Sequence, residues 1–420
     1  MKSSSQNVSL FNAAVVVAAL GYFVDIYDLL LFTIVREPSL KGLNILITDK
    51  DAVMSASTQV INWQMWGMLI GGILWGILGD KKGRLSVLFG SILIYSTANF
   101  LTGYVQTVEQ YAYARFAAGI GLAGELGAGI TLVSELLPKN KRGIGTSLVA
   151  GFGLFGAVAA YFTFDYTEDW RLCYKIGGAL GLSLLLLRIT VAESGMFQHV
   201  KSQAVQRGNI LMFFTNKVRF RKYLLAILIG LPTWYVIGIL VNYSNRFATE
   251  LYGKNGIESG RSIMYAYAAI AIGDILIGFI SQWFKSRKKA LLLFYVFAIL
   301  SGIFFFSGWV RDDSTMYIAC AMLGFSTGFW AIFVTMGAEQ FGTNLRATAA
   351  TTIPNMVRGS LPLINLLFMG LLQNQWHFSL VQAGICTGVV VMVITLLALY
   401  FTEDTFHKDL NYLEVEETLP

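Results

Sequence analysis

Residues 115–143 read Arg115-Phe-Ala-Ala-Gly119-Ile-Gly121-Leu-Ala-Gly124-Glu125-Leu-Gly127-Ala-Gly129-Ile-Thr-Leu-Val-Ser134-Glu135-Leu-Leu-Pro138-Lys-Asn-Lys141-Arg142-Gly143. An apolar run of this length, closed by a proline and a basic turn, predicts a helix that crosses a membrane. A charge inside such a helix costs about 2.5–3.5 kcal/mol on insertion scales, so Arg115 and Glu125 are expected where they act. Glycines at this density let neighbouring helices approach closely. The helix is therefore expected inside a bundle, lining something polar and packed tightly on its neighbours.

The rest of the chain agrees on the class. Its 420 residues are 55% hydrophobic and 13% charged, about half the charge of an ordinary soluble chain. Apolar runs fall near 10–36, 53–79, 85–106, 109–137, 143–165, 170–191, 221–248, 260–284, 289–310, 314–339, 346–372 and 378–401. Each is long enough to cross a bilayer, which needs about 20 residues. An all-α polytopic protein with about 12 transmembrane helices follows. The net charge of +6 sits in short loops such as Lys81–Arg84, Lys139–Arg142 and Lys285–Lys289. That is the positive-inside pattern, so both termini are expected in the cytoplasm and no nucleic-acid partner is implied. The apolar run from Leu10 continues past the length of a leader into Asp25 and Asp28, so no cleavable signal peptide is expected. Cys173, Cys320 and Cys386 each stand in an apolar segment and read as packing residues, with no metal-ligand spacing. No catalytic constellation or phosphate-binding loop is present, so an enzyme is not expected.

A repeat fixes the architecture. Shifted by 204 residues, Ser134-Glu135 through Arg142 falls on Ala338-Glu339 through Arg346, Lys81–Arg84 falls on Lys285–Lys288, and Gly124 falls on Gly328. The chain thus reads as two pseudo-symmetric six-helix bundles, 1–191 and 221–402. A linker, 192–220, joins them and a tail, 403–420, follows. Parallel repeats of this kind place a substrate site at the midplane between halves.

The motifs at this point resemble a known family. Gly72-Ile-Leu-Trp-Gly76-Ile-Leu-Gly79-Asp80-Lys-Lys-Gly83-Arg84 resembles the G-x-L-x-D-R-x-G-R loop of the major facilitator superfamily. Arg115-x3-Gly119-x-Gly121, then Gly124-Glu125, Ser134-Glu135 and Pro138-x3-Arg142-Gly143, resembles its metabolite:proton symporter branch. So does Gly21-Tyr-Phe-Val-Asp25-Ile-Tyr27-Asp28. Arg188-x4-Glu193-Ser194 resembles the end of the sixth helix in that branch and in sugar porters. In the second half, Phe284 stands in the place of Asp80, so the likeness is strongest in the first half. The resemblance implies the major facilitator fold. It also implies a pathway lined by the first and fourth helices of each half, and a proton-coupling pair made by an aspartate on helix one and an arginine on helix four.

Counting along the helices gives the same pair. Asp28 lies about 12 Å below the outer end of helix one and Arg115 about 9 Å below that of helix four, at matching depth. Asp25 shares the face of Asp28. A neighbouring charge and desolvation act on an aspartate in opposite directions, so opening or closing the cavity can load or release one proton. A static ion pair is the alternative. Glu125, about 15 Å deeper than Arg115, is a candidate second proton site or a contact to a cationic substrate group. Asp274 and Arg358 also fall near mid-membrane; they pair with each other, or Arg358 takes a substrate carboxylate. Tyr27, Gln59, Trp63, Gln64, Asn242, Trp330 and Asn365 are the further substrate-binding candidates, and Trp234 is another aromatic that can shape the cavity. Asn62, Trp63 and Gln64 form a polar cluster expected to face away from lipid. Asp80, Arg84, Glu135, Arg142, Glu193, Glu339 and Arg346 cluster at cytoplasmic helix ends and can form a gate; solvated loop charge, weak pair by pair, is the alternative. Arg188 reads as a structural, snorkelling residue.

These readings converge on a proton-coupled importer of a small polar organic solute, a carboxylate metabolite or an amino acid, working by alternating access in the plasma membrane. The core carboxylates outnumber the core arginines, which suits a proton or a zwitterion better than a dianion. The expected partners are the substrate, protons and the lipid bilayer, with the proton gradient as driving force, no cofactor, no metal and a monomeric state. A proton antiporter exporting a small molecule and an uncoupled facilitator are the alternatives. Gly145–Gly156 on the fifth helix lacks the proline of exporters in this superfamily, which counts against export.

Overall fold

The computed structural model describes residues 13–46, 48–188, 208–253 and 256–414. Among these residues 12 helices are long and apolar enough to cross a membrane. Spans 1 to 6 are Val15–Ile34, Gln59–Lys82, Arg84–Thr102, Val108–Leu136, Gly143–Thr167 and Trp170–Leu187. Spans 7 to 12 are Lys217–Val241, Ser259–Phe284, Arg287–Phe306, Asp313–Glu339, Arg346–Gln375 and Leu380–Phe401. Helices suit a bilayer because each satisfies its own backbone groups. The seventh run is shorter than its apolar stretch: the span stops at Val241, and Ser244–Tyr252 forms a separate amphipathic helix.

Burial sorts the spans into an inside and an outside. Spans 1, 4, 7 and 10 are 78%, 83%, 72% and 78% buried, against 39% and 33% for spans 6 and 12. The inner four are the first and fourth helices of each half. The halves meet through two equivalent contacts, span 2 on span 11 and span 5 on span 8. Within the first half, glycine sets the closest approach, since a Cβ on Gly71 would overlap the Ile120 carbonyl and one on Gly119 that of Gln64. The opening stretch is packed as its composition predicts.

Span 4 is not continuous. It breaks at Ala123-Gly124 between Val108–Leu122 and Glu125–Leu136, and span 10 breaks at Thr327–Phe329 between Asp313–Ser326 and Trp330–Glu339. The two breaks stand at the positions that the 204-residue shift superposes. Spans 7 and 11 carry Pro232 and Pro354 and pass into π-helical turns, Val236–Val241 and Leu366–Gln375. Proline removes one ladder donor and crowds the preceding turn, so a change of helical register nearby is expected.

Candidate functional site

The halves leave a cavity of about 1070 Å³ on the face opposite the basic loops. Span 1 contributes Thr33 and Ile34 to its lining, span 5 Tyr161 and Phe164, and the second half Asn242 and Tyr243. Of the candidates, Asn242 is thus placed in a vestibule near one surface.

The basic face is sealed. Glu135 on span 4 takes Arg84 at 2.8 Å from its own half and Arg346 at 3.2 Å from the other. Asp80 lies 3.6 Å from Arg84 and accepts the Ala347 and Thr348 N–H groups and the Thr348 hydroxyl across the halves, at 3.1, 2.8 and 2.7 Å. These side chains are buried, which sets aside the alternative of solvated, weak pairs for Asp80, Arg84, Glu135 and Arg346: breaking a buried pair costs about 3–5 kcal/mol. Glu339 departs from the expected gate. It pairs with Arg287 of its own half at 3.2 Å and accepts the Thr405 hydroxyl at 2.6 Å. Arg287 was not singled out because the repeat superposes Lys288, one position on, with Arg84. Glu193 lies outside the described residues, as do the side chains of Arg142 and Arg188.

Between the faces lie two polar centres. In the first half, Arg115 is fully buried. Its Nε donates to Gln64 Oε1 at 3.1 Å, Nη1 donates to Asn99 Oδ1, and Nη2 donates to the main-chain carbonyl of Asp28 at 2.8 Å. The Tyr174 ring lies 5.4 Å from the guanidinium. The expected carboxylate–guanidinium pair is therefore replaced by a grip on the Asp28 backbone. The Asp28 carboxylate itself accepts no hydrogen bond and abuts Gly177 of span 6, with Arg115 and Asn99 as its electrostatic neighbours. The reason is geometric: two residues at equal depth meet only if their helix faces also match.

The second centre surrounds Arg358 on span 11. Its guanidinium lies over the Trp330 ring at 5.7 Å, and Nη1 donates to Asn355 Oδ1 at 3.0 Å. Its Nε has no partner, and no carboxylate stands within ion-pair distance of it among the described residues. Tyr22 and Asp25 of span 1 and Tyr267 and Asp274 of span 8 complete the surroundings. Asn355 is a residue that sequence reasoning passed over. Its Nδ2 donates to the Ala123 carbonyl at 3.0 Å, so it ties the break of span 4 to Arg358. An amide three residues before a buried arginine was the available signal.

The family model of the Major Facilitator Superfamily matches residues 6–364. The chain belongs to this superfamily. Among its relatives are the niacin transporter of Acinetobacter baylyi, 26% identical over 80% of this chain and 81% of that protein, and the sialic acid transporter of Escherichia coli K12, 25% identical over 81% and 82%. Among solved structures, the proton:xylose symporter XylE superposes with a TM-score of 0.73 at 17% identity, covering 95% of this chain and 97% of that one. The protein is a polytopic transporter of the major facilitator fold and not an enzyme.

Within that fold the remaining candidates fall in different places. Trp330 seats Arg358, and Gln64 is committed to Arg115 and the Leu29 carbonyl. Tyr27 is not a cavity residue: its hydroxyl donates to the Cys173 carbonyl at 3.1 Å and fastens span 1 to span 6. Gln59, Asn62 and Trp63 line a groove of about 620 Å³ on the outer surface, with Trp63 edge-on to Tyr113 and Phe116. The polar cluster expected to avoid lipid is thus split, with Gln64 inside and its two neighbours outside, because a step of 100° per residue cannot keep three consecutive side chains on one face. Asp274 does not pair with Arg358; its Oδ1 accepts the Ala331 N–H at 3.0 Å. Glu125 begins the second part of span 4 and accepts the Ser91 hydroxyl at 3.3 Å. Asn365 is half-buried, and its Oδ1 has no hydrogen-bond partner.

Proposed function

We propose that this transporter carries a small organic carboxylate together with a proton into the cell by alternating access. One observation carries the reading: Arg358, buried within span 11, holds an unsatisfied Nε, and no carboxylate among the described residues lies within ion-pair distance of it. A buried arginine without an anion is costly, and its fork matches a carboxylate in a bidentate pair. Trp330, Tyr22 and Tyr267 beside it suit a small planar or ring-bearing solute. The named relatives point the same way, since niacin and sialic acid both bear a carboxylate. Asp28, a buried carboxyl group within span 1 whose two oxygens accept no hydrogen bond, is the leading proton carrier, with Asp25 one turn away and Glu125 and Asp274 in support. The positive-inside rule puts the sealed basic face and both termini in the cytoplasm, so the vestibule receives substrate from outside. The working unit is a monomer in the plasma membrane. An uncoupled facilitator is favoured by one observation, the satisfaction of Arg115 without the Asp28 side chain.

The test is internal pH in proteoliposomes as carboxylates, amino acids, sugars and nucleosides are added outside, with wild type beside Asp28→Asn. Acidification by a carboxylate alone, lost in Asp28→Asn while binding survives, is the expected result. Uptake without proton movement would leave a facilitator, and acidification by a neutral solute would remove Arg358 from the substrate site.

A further inference from the structure

At the break of span 10, between Ser326 and Trp330, the chain crosses span 8 at contact distance. A Cβ on Gly328 would lie 2.6 Å from the Gly273 Cα and 2.8 Å from the Asp274 nitrogen, so no larger residue fits without parting the spans. Just past the crossing, the Asp274 carboxylate accepts the Ala331 N–H at 3.0 Å, and the Trp330 N–H is directed at it as well. Asp274 is fully buried. It sits on the first turn of Trp330–Glu339, where free N–H groups and the helix dipole favour negative charge. Its second oxygen, Oδ2, has no hydrogen-bond partner.

The first half handles the same point differently. There Trp75 of span 2 donates its indole N–H to the Ile120 carbonyl at 2.6 Å, and Gly124 packs on the Trp75 ring. Ile70 occupies the position that the repeat superposes with Asp274. Glu125, which opens the second part of span 4, turns to Ser91 of span 3. One break is therefore clamped from the neighbouring span by an indole, and the other by a group that can gain or lose a proton. The residue released or held by the second clamp is Trp330, the ring beneath Arg358.

We propose that Asp274 is a proton-operated clamp on the break of span 10. Ionised, it holds the first turn of Trp330–Glu339 and keeps Trp330 beneath Arg358. When Oδ2 takes a proton, the carboxyl becomes a weaker acceptor, the turn loosens, and the aromatic seat of the arginine can move. The proton comes from water on whichever face is open and returns to it. The charged and titratable groups around the clamp are Tyr22 and Asp25 of span 1, Tyr267 of span 8 and Arg358 of span 11. Span 10 adds Phe329, Trp330 and Ala331, span 5 meets this stretch at Gly151, and span 9 at Phe294, none of them titratable. The link to transport rests on the proposed role of Arg358, whereas the clamp can be read without any substrate.

The experiment is hydrogen–deuterium exchange of the full chain in lipid nanodiscs between about pH 5 and pH 9, corrected for intrinsic exchange and followed at residues 329–334. The expected result is protection at high pH that falls in a single step as the pH drops, with roughly tenfold faster exchange below it. Asp274→Asn is expected to exchange fast throughout with no step, and Asp274→Glu to restore a displaced step. Arg358→Gln is expected to keep the step, which separates the clamp from the substrate role. A flat profile in wild type, or an unchanged step in Asp274→Asn, overturns the proposal. Should Asp274→Asn fail to fold, an undisplaced step in Asp274→Glu overturns it equally.

Discussion

Among the described residues two arginines are buried well inside the spans, and their surroundings differ. Arg115 spends its donors on Gln64, Asn99 and the Asp28 carbonyl, so it fastens spans 1, 2, 3 and 4 together. Arg358 has one hydrogen bond, one aromatic seat and an idle Nε. Removing one partner of a buried charge pair costs about 2–5 kcal/mol, so Arg358→Gln is expected to weaken carboxylate binding by roughly 30-fold or more. Arg358→Lys is not expected to restore it, because a point charge lacks both the fork and the stacking plane. Calorimetry on the purified protein, beside a thermal melt that shows the fold intact, checks this. Wild-type affinity in Arg358→Gln would end the assignment.

At the scale of elements, two inner spans are interrupted and the loops of the basic face interlock. The breaks of spans 4 and 10 expose backbone groups beside the Arg358 centre, reached through Asn355 and Trp330, an irregularity tolerated only where protein covers it. The interlock on the basic face centres on Glu135, which serves Arg84 and Arg346 at once. Glu135→Gln leaves two buried guanidinium groups facing each other without that charge. The variant is expected to favour opening of the basic face by about 3 kcal/mol. Thr335, whose hydroxyl donates to Thr146 of the other half at 3.1 Å, is the reporter. A cysteine there should react with a membrane-permeant maleimide faster in Glu135→Gln than in the wild-type background. Equal rates would show that the pairs do not hold the face shut.

On the scale of the molecule, the C-terminal segment ties the second half together. Leu410 and Tyr412 offer carbonyls to Thr343, Glu414 exchanges hydrogen bonds with Asn344, and Thr405 reaches Glu339. Asp404 anchors the near end, accepting from the Ser286 hydroxyl and from the Arg287, Lys288 and Phe406 N–H groups. Burial pushes its pKa up, but these bonds outweigh burial and hold the carboxyl below its ordinary 3.8. A depressed carboxylate contributes docking free energy that is complete above its undocked value and is lost as the pH falls through the docked one. The tail is therefore expected to stay docked across the neutral range and to loosen only in acid below about pH 4. Asp404→Asn should loosen it at neutral pH. Limited proteolysis of residues 405–414 across pH checks both, and equal cleavage of variant and wild type at neutral pH would contradict the anchor.

What the sequence by itself determined is what lies along a line: twelve apolar lengths, a basic bias in alternate loops, the 204-residue repeat and the superfamily motifs. The coincidence of Gly124 with Gly328 supported the repeat, whereas the breaks of the two inner spans at these glycines are seen only in the fold. It also supplied depth, since rise per residue is constant, and so it placed Arg115 level with Asp28 and Arg358 near the midplane. Tertiary structure alone decided which groups meet. The angle at which a helix faces its neighbours depends on how all the spans pack, and a turn of 100° per residue separates Gln64, turned inward to Arg115, from Trp63 on the surface. Packing also set Asp274 on a half-helix terminus instead of on Arg358, and left that arginine with no carboxylate within ion-pair distance among the described residues.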